Sequence, residues 1–213
     1  MAVITISRQA GSRGARIARG LAKELGWELA DKSTVNRVIR QYGLLRLNEI
    51  YSELPTLGDL FSENAAVTIE MMNETIAAIA ARGNVVFLGR GAFVVLQDVP
   101  DVLNVFIEAP LETRVARIAK RDNVDLETAA ATVKADDKLR RRFTRRYYGA
   151  NWAKHENYDL VVDTGSISDA EAIEQIRTAL EALPARADVA GAAELAVHPV
   201  LAQTIDEVMG AKA

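Results

Sequence analysis

The chain has 213 residues, of which 49% are hydrophobic and 26% charged, with a formal net charge of −3. That balance belongs to a soluble globular protein of one domain plus appendages, not to a disordered, fibrous or strongly basic chain. The absence of cysteine removes disulfides and thiolate metal sites and fits a reducing compartment, and no apolar run approaches the roughly 20 residues that a membrane span requires.

In chain order, the N-terminal Met-Ala-Val-Ile-Thr-Ile-Ser enters a strand-like run at once, with no basic stretch followed by a long apolar one, so no signal peptide is read and a cytoplasmic protein is expected. Ala2–Ile6, Asn84–Leu88, Val102–Ile107 and Tyr158–Val162 are nearly continuous β-branched and apolar runs, the pattern of strands buried on both faces. A helix follows the first run to about Leu25. Between the others, Ile69, Met72, Ile76 and Ile79 recur at helical spacing, as do Ile173, Ile176, Leu180 and Leu183, with Ser168 and Glu171 at capping-box spacing ahead of the last helix. Strands alternating with helices predict a central parallel sheet in a three-layer α/β/α sandwich, because parallel neighbours need a crossover.

Residues 31–64 read as an insertion of short helices and loops, broken by Gly43, Pro55 and Gly58, in a position suited to covering a substrate. After Pro184 the chain becomes alanine-rich, and Pro199 precedes a weak helical pattern of Leu201, Ile205 and Val208. Residues 1–184 are therefore expected to form the domain, and 185–213 a helical extension outside the sheet. The sequence contains no internal repeat.

The most informative stretch is Ile4-Thr5-Ile6-Ser7-Arg8-Gln9-Ala10-Gly11-Ser12-Arg13-Gly14-Ala15-Arg16-Ile17-Ala18, a strand, a glycine-containing turn and a helix start. Such a turn lets backbone N–H groups approach an anion, and the helix N-terminus adds its positive dipole end, so a phosphate is the expected guest. The full GxxxxGK[ST] motif is absent: Gly14 stands where the lysine belongs, with Arg13 and Arg16 on either side. The turn taken alone also suits a chain that merely packs a helix on a strand.

Five separated motifs in order carry a resemblance. They are the loop just quoted; Phe87-Leu88-Gly89-Arg90-Gly91-Ala92; Val105-Phe106-Ile107-Glu108-Ala109-Pro110-Leu111-Glu112-Thr113-Arg114; Asp137-Lys138-Leu139-Arg140; and Asn157-Tyr158-Asp159-Leu160 with Asp163-Thr164. In order and spacing the chain resembles the cytidylate kinase-like family from roughly Val3 to Leu183. The resemblance implies a P-loop kinase fold of adenylate-kinase-like architecture, a nucleoside triphosphate as phosphoryl donor, ATP with Mg2+, and a nucleoside monophosphate, (d)CMP among them, as acceptor. The chain departs from the pattern in lacking the lysine and the following Thr or Ser, in carrying Arg13 where many members have glycine, and in having Gly91 where the Gly-Arg-Asp of cytidylate kinases has its aspartate. These departures put catalysis and cytosine recognition in doubt more than nucleotide binding, and keep a non-catalytic nucleotide-binding regulator, or a kinase for another small substrate, as alternatives.

Phosphoryl transfer rests on positioning and charge neutralisation, so a chain without the P-loop lysine needs other cations. Lys138, Arg141, Arg142 and Arg145 fall on one face if residues around 125–150 are helical, and the resemblance makes this segment a lid over the triphosphate. Two other readings stay open: a solvated basic face, or a nucleic-acid patch interleaved with Tyr147, Tyr148 and Trp152, the latter disfavoured by the acidic net charge. Arg90 follows a buried strand at the sheet's carboxyl edge, where ligands bind in open α/β folds, or is a loop residue pairing with an acid.

The resulting assignment gives Arg8, Gly11, Ser12, Arg13, Gly14, Ala15, Arg16 and Arg117 to the nucleotide, Asp31, Arg90, Asp137 and Arg141 to the acceptor, and Arg13, Arg142 and Arg145 to catalysis. Asp31 serves equally well as a helix cap, Arg114 and Arg117 as solvent-facing helix residues, and Asp163 as a turn residue. His155 and His198 lie far apart with no ligand cluster, so no protein metal site is assigned, and Ser12 is the one candidate to replace the missing Mg2+ hydroxyl. The expected partners are nucleotides, with a homo-oligomer left open.

Overall fold

A computed structural model describes residues 2–46, 65–183 and 190–210. The breaks expected at Pro55 and Gly58 lie outside the described residues.

Strands β1 (Val3–Arg8), β2 (Glu28–Ala30), β3 (Val85–Leu88), β4 (Val102–Glu108) and β5 (Leu160–Asp163) form one all-parallel sheet in the order β2-β3-β1-β4-β5. Helices α1 (Gly14–Leu25), α2 (Lys32–Arg46), α3 (Ala65–Ala81), α4 (Ala92–Val95), α5 (Leu111–Asp122), α6 (Leu126–Tyr148), α7 (Asp169–Glu181) and α8 (Pro199–Met209) surround it. The strand alternation fixes the layers. Ile4, Ile6, Val86, Leu88, Val105 and Ile107 point to one face and pack on Ile17 and Leu21 of α1 and on Ile173 and Ile176 of α7. Val3, Val85, Phe87 and Val102 point to the other and pack on Tyr42 of α2, on Met72, Ile76 and Ile79 of α3 and on Leu201 and Ile205 of α8. Both faces are apolar, which is why the strands read as continuous hydrophobic runs. The sheet interior admits one polar pair: Thr5 Oγ1 donates to Asn104 Oδ1 at 2.7 Å, across the β1–β4 register.

β2 has three residues, of which only Ala30 is fully enclosed, too short for the periodicity that marks the other four. Gly43 does not break its helix, contrary to expectation. α2 runs through it to Arg46, and a Cβ at that position would lie 3.3 Å from Met71 Cε, so the glycine admits the close approach of α3. The capping box is present in full, with the Ser168 side chain accepting from Glu171 N–H and the Glu171 side chain accepting from Ser168 N–H. The C-terminal segment crosses the base of the sheet, where Ala192 N–H donates to Asp101 Oδ1 at 2.7 Å, and α8 then docks on α2 and α3.

β1 sits centrally with β3 and β4 on its two sides; from its carboxyl end the chain crosses to β2 on one side, while from the carboxyl end of the adjacent β3 it crosses to β4 on the other. In an open parallel sheet this switch point is where a crevice forms.

Candidate functional site

Residues 9–13 join the end of β1 to α1 in a tight turn closed by Ser12 N–H donating to Gln9 O at 3.3 Å. Gly11 and Arg13 both take left-handed conformations, with φ of 79° and 64°. At Gly11 a Cβ would fall 2.7 Å from Arg114 O, so only glycine lets the turn press against α5. Arg13 offers no side-chain cap to α1; Arg16 N–H donates to Arg13 O at 2.8 Å, and the N–H groups of Gly14 and Ala15 ahead of it face the turn, where an anion can accept from them.

The turn is braced from below by a buried ion pair. Arg114 is 7% exposed; its Nε donates to Ala109 O and its Nη1 to Ala10 O and to Asp137 Oδ2, the last at 2.7 Å. The other oxygen of Asp137 accepts from Ala10 N–H at 2.9 Å and pairs with Arg140 at 3.2 Å. Asp137, expected to face the acceptor, therefore has both oxygens engaged by the protein and fixes the loop to α6. The alternative of a solvent-facing Arg114 is likewise overturned, since its guanidinium is enclosed by these partners.

Beside the turn lies a cavity of about 230 Å³. Among the described residues its walls carry the cations Arg8, Lys32, Arg90 and Arg140 and no carboxylate, with Phe93, Phe143 and Trp152 supplying apolar surface. Arg8 comes from the last position of β1 and, among the described residues, makes no hydrogen bond or ion pair. Burial, reinforced by the positive charges of Arg140 and Arg90, lowers its pKa to about 10, with Asp136 and Asp31 only partly offsetting them. Arg90 lies between Gly89 and Gly91 in a run of left-handed residues with φ of 78°, 62° and 76°. Burial lowers its pKa to about 10 too, against the opposing charge of Asp31, and its Nη2 donates to Asn36 Oδ1 at 2.5 Å while Nε is left without a partner. A non-glycine residue held at positive φ is strained backbone of the kind concentrated at ligand sites.

The remaining expected residues divide. Asp31 Oδ1 accepts from Ser33 and Thr34 N–H at 2.8 and 3.1 Å and so caps α2, while its charge reaches Arg8 and Arg90. Arg13, expected to be catalytic, turns away: its guanidinium donates to Thr164 O and Ile167 O and pairs with Asp169 at 2.9 Å. Arg16 also pairs with Asp169. Arg117 of α5 donates to Thr164 O at 2.7 Å, to Thr164 Oγ1 at 3.1 Å and to Gly11 O at 3.5 Å, which ties α5 to the end of β5 and to the loop. Asp163 accepts from Gly165 N–H at 2.8 Å as a turn residue. Arg141, Arg142 and Arg145 lie on the exposed face of α6, and it is Arg140, with no role in the sequence reading, that lines the cavity. At Gly91 a Cβ would sit 2.7 Å from the ring of Tyr148, whose hydroxyl donates to Asn73 Oδ1 at 2.7 Å, so the place of the missing aspartate is filled by an aromatic ring. Lys32 and Arg140 are the charged cavity residues that sequence reasoning missed.

Mg2+ is poorly served by the protein itself. Ala15 has no hydroxyl, the buried Ser12 donates its own to Gln9 O at 2.9 Å, and no cluster of three or more His, Asp or Glu exists among the described residues. No helix among them is long and apolar enough to cross a membrane. His155 pairs with Glu108 at 3.1 Å, and His198 caps α8.

A parallel β2-β3-β1-β4-β5 sheet with a glycine turn leading from its central strand into a helix defines the P-loop kinase class of fold. Solved structures agree: an uncharacterized protein from Eubacterium ventriosum superimposes with a TM-score of 0.69 at 22% identity, over 85% of this chain and 99% of that one. A gluconokinase from Sinorhizobium meliloti superimposes with a TM-score of 0.51 at 12% identity, over 85% and 93%. The chain belongs to the cytidylate kinase-like family, whose model matches residues 3–166. Among curated relatives, a cytidylate kinase from Ignicoccus hospitalis is 32% identical over 84% of this chain and 99% of its own length.

Proposed function

We propose that the protein transfers the γ-phosphoryl group of ATP to a nucleoside monophosphate, with (d)CMP the first acceptor to consider because relatives at this similarity are named cytidylate kinases. The observation that carries the reading is the cavity at the carboxyl edge of the sheet, walled among the described residues by Arg8, Lys32, Arg90 and Arg140 without a carboxylate, directly beside the glycine turn. Like charges brought together under burial are unfavourable unless an anion is bound among them. A monophosphate held by Arg90 and Arg140 would present an oxygen to the γ-phosphorus of ATP lying along the turn. A new P–O bond forms to the acceptor, the bond to the β-phosphate oxygen breaks, and ADP leaves with a nucleoside diphosphate as co-product. The guanidinium groups neutralise charge on the transferring group and hold donor and acceptor in line, and the aromatic wall keeps water away. Mg2+ would arrive with the triphosphate, and no step is assigned to a protein ligand for it. The cysteine-free chain suits a reducing cytoplasm.

Incubating the protein with Mg·ATP and a panel of ribo- and deoxyribonucleoside monophosphates, and separating the products, tests the reading. It requires stoichiometric ADP and nucleoside diphosphate with at least one acceptor. The absence of a hydroxyl at Ala15 favours a second reading, a nucleotide-binding regulator without transfer. ATP binding without any diphosphate formation would decide for it.

A further inference from the structure

The GxxxxGK[ST] pattern, laid on this turn with its lysine position at Gly14, places its first glycine at residue 8, its second at residue 13 and its hydroxyl at residue 15. This chain has Arg8, Arg13, Gly14 and Ala15 there. The first glycine and the lysine have thus exchanged kinds: a cation stands where the glycine belongs, and a glycine where the cation belongs. The geometry shows that this exchange is one physical arrangement. A Cβ built on Gly14 would lie 2.5 Å from Arg8 Cβ and 2.9 Å from Arg8 Cγ, so the stem of Arg8 runs through the space in which a side chain at position 14 would begin. Its head ends against the second glycine of the site, where a Cβ on Gly89 would collide with Nη1. Two glycines therefore leave a channel for one arginine, from the end of β1 past the start of α1 to the cavity beside Arg90.

We propose that Arg8 is the phosphate-binding cation of this site, reaching from the end of β1 into the place served by the P-loop lysine, and that Gly14 is required to let it pass. The ligand class is the polyphosphate of a nucleoside triphosphate, and the proposal rests on the phosphoryl-transfer reading above. Three observations support it. Arg8 has no protein partner among the described residues, whereas Arg13, Arg16 and Arg117, the other cations of the turn, are engaged at Thr164, Ile167 and Asp169. Arg8 lines the cavity together with Arg90 and Arg140, with no carboxylate among the described residues of the wall. A guanidinium also offers a planar fork to phosphate oxygens, so it can bridge two of them where an ammonium acts as a point charge.

Positions 8 and 14 should then be interdependent in a way that no separate role predicts. ATP is titrated calorimetrically, without Mg2+, into the full-length parent, Arg8→Gln, Arg8→Gly, Gly14→Lys and the double variant Arg8→Gly/Gly14→Lys, with circular dichroism confirming the fold of each. Arg8→Gln and Arg8→Gly are expected to bind ATP at least about tenfold more weakly. Gly14→Lys alone should bind more weakly than the parent despite the added positive charge, because its side chain meets Arg8. The double variant, with the channel vacated, should return to within about threefold of the parent. A merely structural Arg8 would give no such rescue. The proposal is overturned if Arg8→Gln binds ATP as the parent does, or if a folded double variant binds no better than Arg8→Gly. A parent that fails to bind ATP would instead sink the phosphoryl-transfer reading, a result distinct from a parent that binds ATP and variants that bind it equally well.

Discussion

Arg8 is charged at neutral pH at a cost, and the sign of that cost can be worked out. Its folded pKa of about 10 lies below the ordinary arginine value because burial and the neighbours Arg140 and Arg90 disfavour the cation. Between that value and the unfolded one the unfolded chain binds more protons, so stability rises with pH through this window and the full penalty is present at every pH below it. At pH 7 the anion-free protein therefore carries an unpaired, desolvated charge. Replacing it with the shorter, neutral glutamine in Arg8→Gln should raise the melting temperature of the anion-free protein, by about 1–2 kcal/mol of stability. The same change should reduce the further rise in melting temperature that ATP produces. Thermal unfolding of both proteins with and without ATP checks this, and a variant that melts earlier without nucleotide would show that Arg8 is stabilising. Gly91 gives a second expectation at this scale. Restoring an aspartate there, as in the Gly-Arg-Asp pattern, should destabilise by about 1–3 kcal/mol and not improve cytidylate recognition. The new Cβ would meet the Tyr148 ring on a backbone at φ 76°. Denaturant unfolding of Gly91→Asp measures the cost, and an unchanged midpoint would contradict it.

Helix α6 shows what could be read from the sequence and what could not. Its existence and its basic character were legible, but which of its arginines lines the cavity was not. The arginine run covers both sides of the helix, so charge alone carries no phase; Lys138, Arg141, Arg142 and Arg145 share a face, and it is an exposed one that does not line the cavity. The phase is set by the apolar residues upstream. Ala129 and Val133 are buried against α5, and steps of three or four residues lead from them to Asp137, Arg140 and Thr144. Following that stripe would have singled out Arg140. Likewise the short β2 carries no period, and the partners that draw Arg13 and Asp137 out of the cavity, Asp169 and Arg114, are distant in sequence and visible only once the fold brings them together. The four long strands, the glycine turn, Arg90 at the sheet edge and the Ser168 cap follow from local pattern and were legible. The contrast between the faces of α6 is measurable: Arg140→Ala should lower kcat on the best acceptor by at least about tenfold, while the double variant Arg142→Ala/Arg145→Ala should change it by less than about threefold. The reverse ranking would restore the exposed face as the working one. Asp137→Ala belongs to the same element. It would strand Arg114, 7% exposed, without its counter-ion, and should cost about 3–5 kcal/mol in stability, read by denaturant unfolding.

At the scale of the whole molecule the C-terminal segment has more structural weight than its weak amphipathic pattern suggests. It lies outside the sheet, as its sequence implies, yet Leu201 and Ile205 are each 1% exposed and share a core with Tyr42, Met72, Ile76 and Phe87. Arg82 at the end of α3 is held there by Asp206 and by Gly210 O, and Gln41 of α2 donates to Glu207. α2 in turn carries Asn36, which orients Arg90. The segment thus stabilises the acceptor side of the molecule from behind, while the glycine turn is braced independently by Arg114 and Asp137. A single cavity in this distal core should separate the two effects. Leu201→Ala removes a fully buried side chain and should cost about 2–5 kcal/mol, or a fall in melting temperature of roughly 4–20 °C for a protein of this size. Well below that temperature, its ATP affinity should stay within about threefold of the parent, because α8 packs on α2 and α3 while the turn is braced by Arg114 and Asp137, whereas the KM for the acceptor should rise as α2 and Arg90 lose their support. An unchanged melting temperature would show that α8 does not belong to the core. Equal losses of ATP and acceptor affinity would show that the two halves of the site are not braced separately.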